Sequence, residues 1–303
     1  MKRALFIAVI IVVLLLSSCT PATPTAAPTP SPRPMPAGVY LGETPPDFVP
    51  RIFGYRFMGS HLHTPPVFTL DGKEVYWGAY DDNGSVIRTM RLVDGAWTPA
   101  QNLLLSEKLK VIGDPSLSPD GKYLFFMARK PSLDAPVQDR EFIWMAERDG
   151  DAWVNPQPLP DAINSLQMHW SMSTTFTGDL YFASGAELID DIYVSRKVDG
   201  EFTTPDPLDE PVNTAGNYEF APHISPNGSF LLFTRMEPTS NSPHLFITYA
   251  QPDGKWSVPV RVENVYYCIA PALSPDGKYV FYLSDPDHIS WRDTSFIKEL
   301  RPK

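Results

Sequence analysis

The sequence predicts an all-β fold assembled from five repeats of a four-stranded antiparallel sheet, and three observations carry that expectation. A tight turn recurs as Leu70-Asp71-Gly72-Lys73, Pro119-Asp120-Gly121-Lys122, Pro226-Asn227-Gly228-Ser229 and Pro275-Asp276-Gly277-Lys278, with a degenerate copy at Phe176-Thr177-Gly178-Asp179. Its glycines, at 72, 121, 178, 228 and 277, are spaced by 49, 57, 50 and 49 residues. Each turn runs straight into aromatic and β-branched residues: Glu74 to Trp77, Tyr123 to Phe126, Leu180 to Phe182, Phe230 to Phe233 and Tyr279 to Tyr282. A turn returning about every fifty residues between strand-like runs signals radial repetition. The expected architecture is a five-bladed β-propeller, with six blades as the alternative.

The turn has a mechanism. Proline pre-sets φ for the first corner, Asp or Asn bonds its own backbone, and glycine accepts the positive φ that closes the hairpin. A third run follows in each unit: Val86 to Leu92, Phe142 to Ala146, Ile192 to Ser195, Leu245 to Tyr249 and Ile289 to Trp291. A second Asp-Gly turn comes next, then an aromatic residue and a proline: Trp97 with Pro99, Trp153 with Pro156, Phe202 with Pro205, and Trp256 with Pro259. Proline suits an outer edge strand, where no ladder donor is needed. The last unit lacks this strand and ends in a short helical turn, Ser295 to Leu300. The missing piece has a match at the other end, Phe48-Val49-Pro50-Arg51-Ile52-Phe53. An N-terminal strand that completes the final blade would close the ring and hide an edge.

The first residues read as an export signal. Lys2 and Arg3 precede the apolar run Ala4 to Leu16, which as a helix is only ~20 Å long, short for a ~30 Å hydrocarbon core. Leu16-Ser17-Ser18-Cys19 resembles the bacterial lipobox, so residues 1–18 are expected to be removed and Cys19 lipidated. The alternative is an ordinary signal peptide with a chance cysteine. Residues 19–38 are dominated by Pro, Thr, Ala and Ser and form a tether, reaching roughly 60 Å at ~3.1 Å per residue. Residues 39–303 are then the propeller. Lipidation leaves Cys268 alone, so no intramolecular disulfide is expected. Without Lys2 and Arg3 the 25 basic residues fall to 23 against 35 acidic ones, a net charge of −12 with no basic stripe. Nucleic acid is not an expected partner.

The repeats resemble the WD40-like Pro-Asp propeller repeat, of the type found in TolB-like exported propellers. Ser118-Pro119-Asp120-Gly121-Lys122-Tyr123-Leu124-Phe125-Phe126 and Ser274-Pro275-Asp276-Gly277-Lys278-Tyr279-Val280-Phe281-Tyr282 carry the likeness. It extends to Gly38-Val39-Tyr40-Leu41-Gly42 and to the ending Ser295 to Pro302. Leu70 in place of proline and Phe176-Thr177 in place of Pro-Asp depart from it and are expected to weaken those turns. The resemblance implies a binding scaffold more often than an enzyme.

Repeat symmetry places equivalent residues around a ring. Nine positions before each turn glycine stand His63, Ile112, His169, Glu219 and Cys268. Imidazoles, a carboxylate and a thiol can all ligate metal, but water-contacting residues lining a channel need none, and no metal or other cofactor is expected. Trp170 and Phe220, one position on, offer rings for stacking at a channel mouth or for packing between blades. Asp81-Asp82 and Asp190-Asp191 fall at the second connection and read as solvated loop. Neither Gly-x-Ser-x-Gly nor His-Glu-x-x-His occurs, and no catalytic residue is assigned. The expected function is a monomeric, membrane-anchored exported scaffold for a cell-envelope protein or glycan. The alternatives are a carbohydrate-active hydrolase or lyase using the channel, with Glu219 as a candidate acid, and a spacer without a specific ligand.

Overall fold

A computed structural model describes residues 35–303 except 83, 107–108, 130–140, 167, 187–188 and 241; of 110–112, 168–170, 186 and 189 it describes the backbone. Cys19 and most of the expected tether lie outside these residues. Met35–Lys303 forms one compact unit, and none of its helices is long and apolar enough to cross a membrane.

Five antiparallel sheets form a five-bladed propeller. The first three strands of each sheet, counted from the channel, are Val67–Phe68, Glu74–Asp81 and Gly84–Val93 in the first; Lys110–Leu117, Tyr123–Arg129 and Glu141–Asp149 in the second; and Met168–Thr174, Leu180–Ala186 and Ile189–Ser195 in the third. Tyr218–Ile224, Phe230–Met236 and His244–Tyr249 follow in the fourth, and Ile269–Leu273, Tyr279–Asp285 and His288–Asp293 in the fifth. The fourth strand is where proline leaves its mark. Only the second sheet has a long one, Ala152–Pro158, with a register shift around Pro156. In the first and third sheets the aromatic residue pairs in a short hairpin, and the chain re-pairs after Pro99 or Pro205 as Gln101–Asn102 and Asp206–Pro207. Missing N–H donors interrupt the ladder there. Asp190-Asp191 lies in the third strand of its sheet instead of a loop, and Asp190 is buried.

Four turns keep one frame, the Leu70 departure included, and the third is one residue shorter. Gly121 has φ 71°, and its N–H donates to Ser118 O at 2.8 Å. Ser118 Oγ donates to Asp120 Oδ1 (2.7 Å) and accepts from Tyr123 N (2.9 Å). Thr69, Ser225 and Ser274 repeat that arrangement with Asp71, Asn227 and Asp276, while Thr175 pairs with Thr177 and accepts from Asp179 N, one residue earlier. A hydroxyl three residues before the glycine therefore carries the turn, and Leu70 and Thr177 are tolerated because they leave it untouched.

The ring closes as the sequence predicts. Arg51–Phe53 pairs with the last strand, Arg51 opposite Trp291 and Phe53 opposite Ile289. Phe53 is 1% exposed, its ring 4.8 Å from Phe281 and 5.0 Å from Trp291. The preceding segment adds a second fastening. Trp97, on the first sheet, donates from N to Pro36 O (2.9 Å) and from Nε1 to Gly38 O (2.7 Å). Tyr40, on the same segment, reaches the fifth sheet, where its hydroxyl donates to Asp276 Oδ1 at 3.0 Å. Glycine is required at position 42, where φ is 68° and a Cβ would collide with the Ala37 carbonyl oxygen.

Polar clasps join neighbouring sheets. Glu74, at the start of the second strand of the first sheet, accepts from Arg148 Nη1 (2.9 Å) and Nη2 (2.7 Å) on the second sheet and from the Tyr76 hydroxyl, which in turn accepts from Trp153 Nε1 at 3.0 Å. Burial works against the Glu74 charge, but Arg148, Tyr76 and Arg91 prevail and hold its carboxyl below the ordinary 4.5. A depressed carboxyl stabilises the fold above its unfolded value, and the contribution disappears as pH falls through the folded one. Glu74→Gln is expected to cost about 2 kcal/mol at neutral pH and to flatten the acid limb of stability. Urea midpoints measured from neutral to acid pH check this; parallel curves for variant and parent would refute it.

Candidate functional site

The inner strands do not keep a simple alternation. Seven residues before the turn glycine, Asp114, Ser171, Ala221 and Ala270 adopt positive φ of 53°, 55°, 51° and 54°. Each sits at a register shift: between Gly113 and Ser116, His169 and Met172, Phe220 and His223, and Ile269 and Ala272. A bulge of this kind inserts an unpaired residue and re-aims everything on one side of it. Proline follows it at Pro115, Pro222 and Pro271, where its missing N–H costs no ladder bond.

The bulge accounts for where the expected ring residues fall. Positions seven, six and five before the glycine line the channel throat, a space of about 30 Å³ bounded by Asp114, Ser171, Pro222, His223 and Pro271 among others. Of those nine before, the described side chains of His63, Glu219 and Cys268 are not among its lining. Glu219 is fully buried within its own sheet, where it accepts from Arg235 Nε (2.7 Å) and Thr214 Oγ1 (2.6 Å). Burial pushes its carboxyl up, against the opposing pull of Thr214 and Arg235. Cys268 is fully buried among apolar side chains, and burial raises its thiol. Phe220, 7% exposed, packs on Ala183, Ala221 and Ala270 between sheets. His63 sits behind Asp114, Nδ1 to Oδ2 3.9 Å, with its ring edge-on to Tyr80. The His169 backbone pairs with Ala183, while the side chains of Ile112, His169 and Trp170 lie outside the described residues. No group of three or more His, Cys, Asp or Glu among the described residues is arranged to hold a metal ion.

The channel is instead furnished by residues that carry no sequence signature. Toward the turn face the throat widens into a bowl of about 170 Å³, sharing Val67, Ser116 and His223 with it. Phe68, Leu117, Ile224 and Leu273 form the wall, and Leu70, Pro119, Phe176, Pro226 and Pro275 the rim. Five residues before the glycine, polar side chains reach the next sheet. Ser173 Oγ donates to Pro222 O (2.9 Å) and accepts from Ile224 N (2.9 Å), and His223 Nε2 accepts from Leu273 N (3.3 Å). Burial lowers His223 to about 4, so the ring is neutral near pH 7 and its proton sits on Nδ1, the nitrogen not accepting. That N–H and the Ser116 hydroxyl have no protein partner among the described residues. They offer a ligand one donor and one donor–acceptor inside an apolar wall.

A second hollow, about 310 Å³, lies between the second and third sheets and shares Ser118, Pro119, Thr174 and Phe176 with the bowl. Its floor holds Tyr123, Phe202 and Lys197. The Lys197 ammonium stands 5.6 Å from the centre of the Tyr123 ring and 5.1 Å from that of Phe202.

No protein-family model matches the chain, and no curated protein does. Solved structures do. TolB from Acinetobacter baumannii is 15% identical with a TM-score of 0.49, over 75% of this chain and 53% of that one. A TolB-type protein from Agrobacterium tumefaciens is 16% identical at a TM-score of 0.48, over 73% and 69%. A puromycin-hydrolyzing peptidase from Mycobacterium tuberculosis is 14% identical at 0.43, over 72% and 34%. The chain thus spans about half the length of the Acinetobacter protein.

Proposed function

We propose that this chain is an exported member of the WD40-like Pro-Asp propeller group, acting as a non-catalytic scaffold that binds a cell-envelope protein or glycan. Residues 1–18 serve as the signal, Cys19 takes the lipid, residues 19–38 are the tether and residues 39–303 the binding domain. The lipobox-like Leu16-Ser17-Ser18-Cys19, the Pro/Thr-rich segment and the Pro-Asp-Gly repeats support this reading. The single observation that carries the binding role is the turn-face bowl. It combines apolar walls with the His223 N–H and the Ser116 hydroxyl, two polar groups left for a ligand, which is how small recognition sites are built. The alternative of channel hydrolysis is weakened at its named acid, because Glu219 is committed to Arg235.

Ser116→Trp fills the bowl, and Leu70→Trp narrows it from the exposed rim. Each is expected to abolish capture of the envelope partner or glycan in a pull-down and on a glycan array while leaving the circular dichroism spectrum unchanged. Binding that survives both substitutions would exclude the bowl, and turnover of a polysaccharide by the purified protein would replace the scaffold reading with the enzymatic one. Acyl labelling of the parent and of Cys19→Ala checks the anchor separately.

A further inference from the structure

The third repeat breaks the pattern of its neighbours in three places at once, all around the hollow between the second and third sheets. Where the first, second and fifth turns carry Asp followed two residues later by Lys, and the fourth carries Asn227 and Ser229, this one carries Thr177 and Asp179. In the second and fifth sheets the lysine pairs with its own turn aspartate: Lys122 with Asp120 at 3.3 Å, and Lys278 with Asp276 at 3.2 Å. Here the displaced carboxylate of Asp179 binds Arg196 Nη1 (3.0 Å) and the Lys197 backbone N–H (3.0 Å), leaving the Lys197 ammonium without a carboxylate among the described residues. Its stem is laid against the turn, where a Cβ on residue 178 would stand 2.7 Å from Lys197 Cδ. The rim position held elsewhere by Leu or Pro is Phe176, 67% exposed. The hollow is also lined by Thr177, which is exposed.

We propose that this hollow binds a carboxylated sugar residue, such as a uronic acid of an envelope glycan. The carboxylate pairs with Lys197, the C–H face of the ring lies on Phe176, and a ring hydroxyl bonds the exposed Thr177 hydroxyl. A sugar suits the site better than an acidic peptide. The lining combines aromatic faces with the exposed Thr177 hydroxyl, which matches a polyol rather than a row of amides. The Lys197 ammonium beside the Tyr123 and Phe202 rings supplies the local positive charge that an anion needs on a chain of net negative charge. The inference deepens the scaffold reading by naming a ligand class, and it does not depend on the bowl being occupied.

Isothermal titration of the full chain with trigalacturonate, with a neutral galactose trisaccharide and with an acidic hexapeptide tests it. The parent should bind trigalacturonate, more weakly as salt rises, and should prefer it to both other probes. Lys197→Met keeps the stem and removes the charge, and should weaken trigalacturonate about tenfold while leaving the neutral sugar unchanged. Phe176→Ala, at an exposed position that does not endanger folding, should weaken both sugars. Equal affinity for the peptide, no binding of trigalacturonate, or binding indifferent to Lys197→Met would each overturn the assignment. Loss of trigalacturonate binding by Lys197→Met, a residue outside the bowl, with partner capture through the bowl intact would separate this site from the first.

Discussion

Phe53→Ala is expected to cost about 3–5 kcal/mol, the range for truncating a buried aromatic side chain, and to lower the thermal midpoint by roughly 10 °C. The loss should be larger in consequence than in energy. Phe53 belongs to the three-residue strand that joins the first segment of the chain to the last sheet, and its ring fills the space between Phe68, Phe281 and Trp291. Removing it leaves a cavity at the one seam of the ring that covalent connection does not hold. Hydrogen exchange of amides 289–291 should therefore accelerate before those of the third sheet. Ile52→Ala is the control: Ile52 is on the same strand but 52% exposed, and a change within about 0.5 kcal/mol is expected. Equal effects at the two positions would mean that the seam is not where the ring is held.

Glu219→Leu is expected to be comparably damaging for an electrostatic reason. It strands the Arg235 guanidinium, whose remaining partners are the Pro211 and Val212 carbonyls and the rings of Phe233 and Phe246. Breaking a buried pair from one side typically costs about 3–5 kcal/mol, whereas replacing both partners with apolar groups is often near neutral. The double variant Glu219→Leu with Arg235→Met should recover most of the loss in a urea titration. If single and double variants unfold alike, the carboxylate matters through Thr214 and the loop it anchors rather than through the arginine.

These two residues also show what could be read in advance. Phe53 was legible because an aromatic-x-Pro strand missing from the end of the chain had a match at its beginning, and repeat arithmetic demanded a partner. Glu219 was legible only as a position on a ring. The bulge seven residues before four of the five turn glycines re-aims the inner strand, and it is built on Asp114, Ser171, Ala221 and Ala270, none of them the glycine that usually announces positive φ. A proline just behind the bulge, at 115, 222 and 271, is a faint signal that the alternation breaks. The turns taught the reverse lesson. Proline and aspartate are the conspicuous residues, yet Thr69, Ser118, Thr175, Ser225 and Ser274 share the hydroxyl that holds all five, and that column is visible in the sequence. His223 and Lys197 had no such column, because each differs from its counterparts in the other repeats and owes its setting to contacts across a sheet boundary.

The N-terminal segment has a mechanical consequence. Any tension applied to the chain upstream of Met35 is delivered first to the Pro36 and Gly38 bonds with Trp97, then to Tyr40 and Asp276, and only afterwards to the short strand at Phe53. These contacts follow one another along the chain, so they would peel one by one and act as a sacrificial fuse that spares the sheets behind them.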